Sequence, residues 1–310
     1  MLLYTQIYRN LIKDIPPFLS THTTPHPKIK ERHLYNLYKR LMAKRPDNPF
    51  QLAIINRHPR DDHIQFEESR HIYTINGNSN YTSVTTFNHA QFEQFDADKI
   101  ITNMIRSPKW PTSKYYGKTP DQIKQEWADN GKSASTSGTR LHFDIECFYN
   151  GAPNENQSPE YKHHFLNFAE DHKHLTPFRT EWMIYDEPAK LAGSVDMLFK
   201  DPTDPSALLI YDWKRCKEIT KTNAFCKTST NPLIEELPDT NYWHYCLQLN
   251  TYKYIIEKNY DRTISGMYLV ALHPNNENYQ KIKVIDLQSQ VKALVEEKEK
   301  EKNMMANVNS

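Results

Sequence analysis

Three features of this sequence predict a mixed α/β fold, a central mixed β-sheet flanked by helices. From residue 139 onward the patterns run helix, helix, three strands, long helix, two strands and helix, an order that builds a mixed sheet with helices packed on it. Two of the strand segments, 191–199 (LAGSVDMLF) and 208–211 (LLIY), are apolar enough to lie inside such a sheet. The composition, 38% hydrophobic and 12% aromatic over 310 residues, supplies a core and excludes a disordered chain.

The elements follow in order. Residues 1–60 hold seven of the nineteen prolines, which divide them into short segments, so a basic helical N-terminal extension is expected there. Within it, Leu34, Leu37, Tyr38 and Leu41 form the stripe of a helix over 31–44. HIYTI and YTSVTTF, separated by the turn cluster 76–80, predict a hairpin within 63–87. Residues 89–132 read as helical and basic, with Trp110, Tyr115, Tyr116 and Trp127 interleaved among lysines. That composition suits a single-strand-binding groove, and core aromatics explain it equally. Helices are expected at 139–150 and 159–172, strands at 179–186, 191–200 and 207–215, and a helix at 240–258. Strands near 266–272 and 281–285 and a charged helix at 287–302 complete the chain. The expected domains are an extension at 1–60, a catalytic body at 61–290 and a charged tail at 291–310.

Charge is segregated along the chain. Lys and Arg number 39 and Asp and Glu 38, yet residues 1–60 hold eleven basic against three acidic residues. Residues 99–140 hold eight against three, and 143–210 five against twelve. Basic arms around an acidic pocket keep a polyanionic partner allowed despite the formal net charge of +1. No apolar run reaches a membrane span, and Arg9, Lys13 and Asp14 interrupt any signal-peptide core, so an intracellular protein, cytoplasmic or nuclear, is expected. Cys147, Cys216, Cys226 and Cys246 contain no CxxC pair, which fits neither a zinc ribbon nor a disulfide scaffold.

The chemistry gathers on two strands. Asp212 and Lys214 follow the buried run LLIY, and residues i and i+2 of a strand share a face, so a carboxylate and an ammonium project together. Asp196 interrupts the middle of the preceding apolar strand, where Asp is depleted. If the two strands form a hairpin through the turn 201–206, Asp196 and Asp212 face each other. Two carboxylates about 4 Å apart repel by about 4 kcal/mol at an effective dielectric of 20, which a divalent cation turns into attraction. Structural aspartates capped by backbone amides are the alternative. Oxygen ligands with room for water suit Mg²⁺ or Mn²⁺. Beside such a cation Lys214 has its ammonium form disfavoured and can orient or deprotonate water; a surface lysine pairing with Asp212 is the other reading. Gly138 is expected to open a helix with Thr139 as its cap, placing His142 and Glu146 on one face. Gln248 and Tyr252 share a helix face, able to bracket a base or sugar or to form a buried polar pair.

Taken in order, GTRLH, Glu181, GSVD, DWK and QLNTY, spanning 138–252, resemble the RecB-like branch of the PD-(D/E)XK nuclease superfamily. The passage YTSVT ahead of the GTRLH helix is further similar to mitochondrial genome-maintenance exonucleases and exonucleases of large DNA viruses. The resemblance implies a restriction-endonuclease-like core. It implies metal ligation by His142, Asp196, Asp212 and the Trp213 carbonyl, catalysis by Lys214, a strand acid in Glu181, and nucleic-acid positioning by Gln248 and Tyr252. Ser83, Thr85 and Arg140 are candidate phosphate contacts by chemistry and neighbourhood. The last cysteine is Cys246 and the spacing differs from iron–sulfur relatives, so no cluster is expected. The function expected is a Mg²⁺- or Mn²⁺-dependent DNA exonuclease acting on single strands or free ends in replication, repair or recombination. An RNA-directed or structure-specific endonuclease and a non-catalytic nucleic-acid-binding module are the alternatives.

Overall fold

The computed structural model describes residues 51–152 and 156–308. The helix expected at 31–44, with most of the basic extension, lies outside them. Helix α1 (Gln51–Ile55) leads into strands β1 (Ile64–Glu67), β2 (Ile72–Ile75) and β3 (Thr82–Ser83), and then into helices α2 (Val84–His89), α3 (Ala97–Arg106) and α4 (Pro120–Tyr149). A π-helical turn, Glu160–Phe165, runs into α5 (Leu166–Asp171), followed by β4 (Thr176–Asp186), β5 (Leu191–Lys200) and β6 (Ala207–Lys214). The chain closes with α6 (Asn241–Asn259), β7 (Thr263–Ala271), β8 (Gln280–Lys283) and α7 (Gln288–Val308).

The architecture is α/β with a mixed central sheet flanked by helices. Strand β5 is central: β4 pairs antiparallel along one edge, while β6, antiparallel at 197–200, and β3, parallel at 191–192, divide the other. Strand β6 continues to β7 in parallel through α6, and β8 pairs antiparallel with β7. Alternation along β6 sends Leu208 and Ile210 into one core with α6 and α7, and Leu209, Tyr211 and Trp213 into a second with α4 and α5. A sheet covered on both faces explains why the runs near 195 and 210 are almost continuously apolar.

The structure corrects two expectations. The hairpin pairs β1 with β2, not HIYTI with YTSVTTF. Thr82–Ser83 joins β5, and the β-branched VTTF turns helical because the Ser83 hydroxyl accepts the Thr86 N–H at 3.0 Å. The helix carrying His142 does not open at Gly138. It starts at Thr119, whose capping box with Gln122 and following Pro120 launch one 30-residue helix. Along α4, residues 128–136 are exposed on every side, so this polar, Gly- and Ser-containing stretch bridges solvent between two packed ends. Asn56 donates to the Phe178 carbonyl at 2.8 Å, Asp61 pairs with Arg179 at 2.8 Å, and Val291, Leu294 and Val295 of α7 are buried. Among the described residues, no helix is long and apolar enough to cross a membrane.

Candidate metal centre

The sheet register brings the acids together. One step beyond the Met197–Tyr211 pair, Asp196 lies opposite Asp212, and the Trp213 N–H donates to Asp196 Oδ2 at 2.9 Å. On the other edge of β5, Glu181 sits between the pairs Thr180–Met197 and Trp182–Val195. Val195 packs in the α6 core and Met197, two residues on, in the α4 core, so the face alternation slips at Asp196. Across from it, Glu181 has φ 44°, a left-handed conformation that costs a non-glycine residue about 1–3 kcal/mol. This local irregularity aims both carboxylates into one cleft.

Helix α4 delivers the imidazole. Leu141 and Ile145 bury in the core beneath the sheet and fix the rotation of the helix. His142 Nε2 lies 2.8 Å from the Trp213 carbonyl, and Nδ1 lies 3.5 Å from Asp196 Oδ2 and 3.7 Å from Glu181 Oε1. With Nε2–H donating to Trp213, the neutral ring presents the Nδ1 lone pair to the carboxylates, the form that binds a cation. Ligand atoms of His142, Glu181 and Asp196 all lie within 4.8 Å of one another, a group able to hold a metal ion.

Asp212 forms the floor. Lys214 Nζ is 2.7 Å from its Oδ2, an ion pair that gives the buried carboxylate a counter-charge. With Asp196 adding a second buried carboxylate nearby, a cation held between the two would offset their mutual repulsion. The ammonium of Lys214 sits 4.5 Å over the Tyr245 ring and donates to Gln248 Oε1 at 3.1 Å, and Gln248 in turn donates to the Tyr252 hydroxyl at 3.0 Å.

Electrostatics follow from burial and crowding. Burial, then the Asp196 charge, raises Asp212 to about 6. Burial also raises Asp196, with Glu181 adding to it and His142 opposing. Burial opposes the His142 imidazolium, but Asp196 and Glu181 outweigh it and lift the ring to about 9. Lys214 is raised too, because Asp212 and Asp196 overcome its burial. The expectation of a disfavoured ammonium therefore does not describe the metal-free site, where Lys214 is a fixed cation.

A pH dependence follows for the metal-free protein. A histidine whose folded pKa lies above its unfolded value stabilises fully below about 6.5 and loses that contribution as pH rises through about 9. Asp212, raised to about 6, has already lost the stabilisation of its protonated form by then. In EDTA the melting temperature should fall by about 5 °C between pH 6.5 and 9.5. The increment added by Mn²⁺ should grow over the same range as the cation displaces the His142 proton. Calorimetry with and without the metal measures both.

The structure brings together His142, Glu181, Asp196, Asp212, Lys214 and Gln248, and it gives the remaining candidates these surroundings. The Trp213 carbonyl accepts the His142 hydrogen bond, so it orients a ligand. Tyr252 is buried against Gln248, forming the buried polar pair. Ser83 is buried and engaged in capping α2, and Thr85 is exposed on that helix. Arg140 is held by Asp144 at 3.0 Å, one helical turn along α4. Three neighbours escaped sequence reasoning: Ser194, which donates to Glu181 Oε2 at 3.0 Å; Tyr245, beneath Lys214; and buried Tyr73, whose hydroxyl is raised by burial and by Glu181 and Asp196. Tyr245 was findable, three residues before Gln248 on the same helix, whereas Tyr73 gave no signal beyond an ordinary strand.

Gly193 is required by this packing. A Cβ there would lie 2.7 Å from Tyr252 Cε1 and 3.3 Å from Val84 Cγ2, both buried. Gly193→Ala should destabilise the protein by about 1–3 kcal/mol, read in urea unfolding.

No protein-family model and no curated protein matches the chain. Among solved structures, the chain is similar to the crystal structure of SSO0001, at 12% identity and a TM-score of 0.28, covering 71% of this chain and 75% of that one. It is also similar to the crystal structure of a "Putative exonuclease" from Eubacterium rectale, at 11% identity and a TM-score of 0.28, covering 74% of this chain and 80% of that one.

Proposed function

We propose that this protein is a divalent-metal-dependent deoxyribonuclease that hydrolyses phosphodiester bonds, acting as an exonuclease. The observation that carries the reading is the group His142, Glu181 and Asp196, whose ligand atoms lie within 4.8 Å of one another, next to the buried Asp212 carboxylate and its ion pair with Lys214. Asp196, Asp212 and the Nδ1 of His142 would hold Mg²⁺ or Mn²⁺, with Glu181 beside them. When bound, the cation supplies a nucleophilic water near neutral pH and offsets charge on the phosphate.

The chain's residues do the rest. Trp213 holds Asp196 through its N–H and His142 through its carbonyl, so one residue of β6 orients both side chains. Lys214, kept cationic by Asp212 and braced by Gln248 and Tyr245, points a fixed positive charge where negative charge develops on the phosphoryl oxygens. Tyr252 steadies Gln248 from below.

The test is a side-by-side digestion of labelled single-stranded DNA, duplex DNA and RNA with Mg²⁺ or with EDTA. Shortening of DNA from its ends that stops in EDTA is the expected result. Intact DNA under every metal condition, or RNA cut in preference to DNA, contradicts the reading.

A further inference from the structure

We propose that the tip of the α3–α4 arm, residues 106–118, is a binding surface for single-stranded polynucleotide, remote from the metal centre. Residues 99–120 contain five basic and no acidic residues. Lys118 pairs with Glu126 and Lys99 with Glu93, but Arg106 and Lys109 are exposed and have no acidic partner among the described residues. Between them and Lys118, Tyr116 is 60% exposed, and its ring is held edge-on by Trp110 at 5.9 Å. An aromatic face flanked by free cations is what a strand with accessible bases requires: rings stack with bases, and cations meet phosphates.

The tip is built to hold that geometry. Ile101 of α3 and Ile123 of α4 are both buried. The Trp127 indole N–H donates to the Tyr115 hydroxyl at 2.7 Å, fixing the loop to α4. Gly117, at φ 81°, turns the chain immediately after Tyr116. Helix α4 runs from this tip to His142, 22 residues or about 33 Å. At a stacked rise of about 3.4 Å per nucleotide, a strand needs about ten nucleotides to touch both ends. The exposed stretch 128–136 leaves that path uncovered.

This inference rests on the nuclease reading for its biological sense, but its test does not need catalysis. Binding of fluorescent dT20 and rU20 is measured by anisotropy in EDTA over a salt series. Tyr116→Ala should weaken binding of at least one of the two strands about tenfold, and Tyr116→Phe, which keeps the ring, should restore it. Arg106→Ala with Lys109→Ala should flatten the slope of log affinity against log salt by about 1.4. Unchanged affinity and slope in all variants overturn the proposal. So does an effect of Tyr116→Ala on the native mass of the free protein alone, which would make the tip a self-association surface. A protein that binds through the tip yet never cuts would retire the nuclease reading alone, and one that cuts but ignores these variants would retire only this inference.

Discussion

Asp196→Asn should abolish the metal-dependent rise in melting temperature and lower metal-supported DNA hydrolysis by more than about 1000-fold. Asp196 is the carboxylate common to both halves of the site, 3.5 Å from His142 Nδ1 and opposite Asp212 in the sheet register. Outer groups that merely orient ligands cost about 10- to 100-fold in affinity when lost, so a ligand between two partners costs more. The amide still accepts the Trp213 N–H, so the fold is kept. Because burial and Glu181 push Asp196 toward its neutral form, the metal-free variant should melt above wild type. Calorimetry with and without Mn²⁺, beside a gel assay, reads all three effects. A variant that keeps its metal shift would remove Asp196 from the ligand set.

Lys214→Ala separates catalysis from binding. Hydrolysis should fall about 100- to 1000-fold, the loss typical of one preorganised charge-stabilising donor. The metal shift should persist and grow, since Asp212 loses its cationic neighbour at 2.7 Å and the bound ion then becomes its only counter-charge. Removing one partner of a buried pair costs about 3–5 kcal/mol, so the metal-free variant should melt lower than wild type, and metal should recover part of the difference. An unchanged rate would make Lys214 a structural partner of Asp212.

The strands that carry Asp196 and Asp212 were legible because a sheet covered on both faces writes itself as apolar runs, in which any acid stands out. The DWK spacing placed Lys214 beside Asp212 for the same reason. The helix that carries His142 starts at the Thr119 cap and not at Gly138. Gly138 reads as a turn, but the strong start at Thr119 and packing at both ends of α4 override the low helix propensity of 128–138. The convergence of Glu181 on the site depends on a left-handed φ and a one-residue slip, which alternation in a sequence cannot express. Local propensity also misplaced the hairpin, because Thr and Val favour strands until the Ser83 cap and the packing of Val84 and Phe87 turn them into a helix. Tyr252 and Ser83 are buried, a property only the packed fold reveals.

His142, Asp196 and Asp212, with Glu181 beside them, are expected to hold a single cation. A crystal soaked in Mn²⁺ and measured for anomalous scattering at the manganese edge tests it most directly. A single strong peak is expected between Asp196 and Asp212, within coordination distance of His142 Nδ1, and it should disappear in Asp196→Asn. A cleft without a peak in wild type at millimolar Mn²⁺, or a peak that survives in the variant, would contradict it.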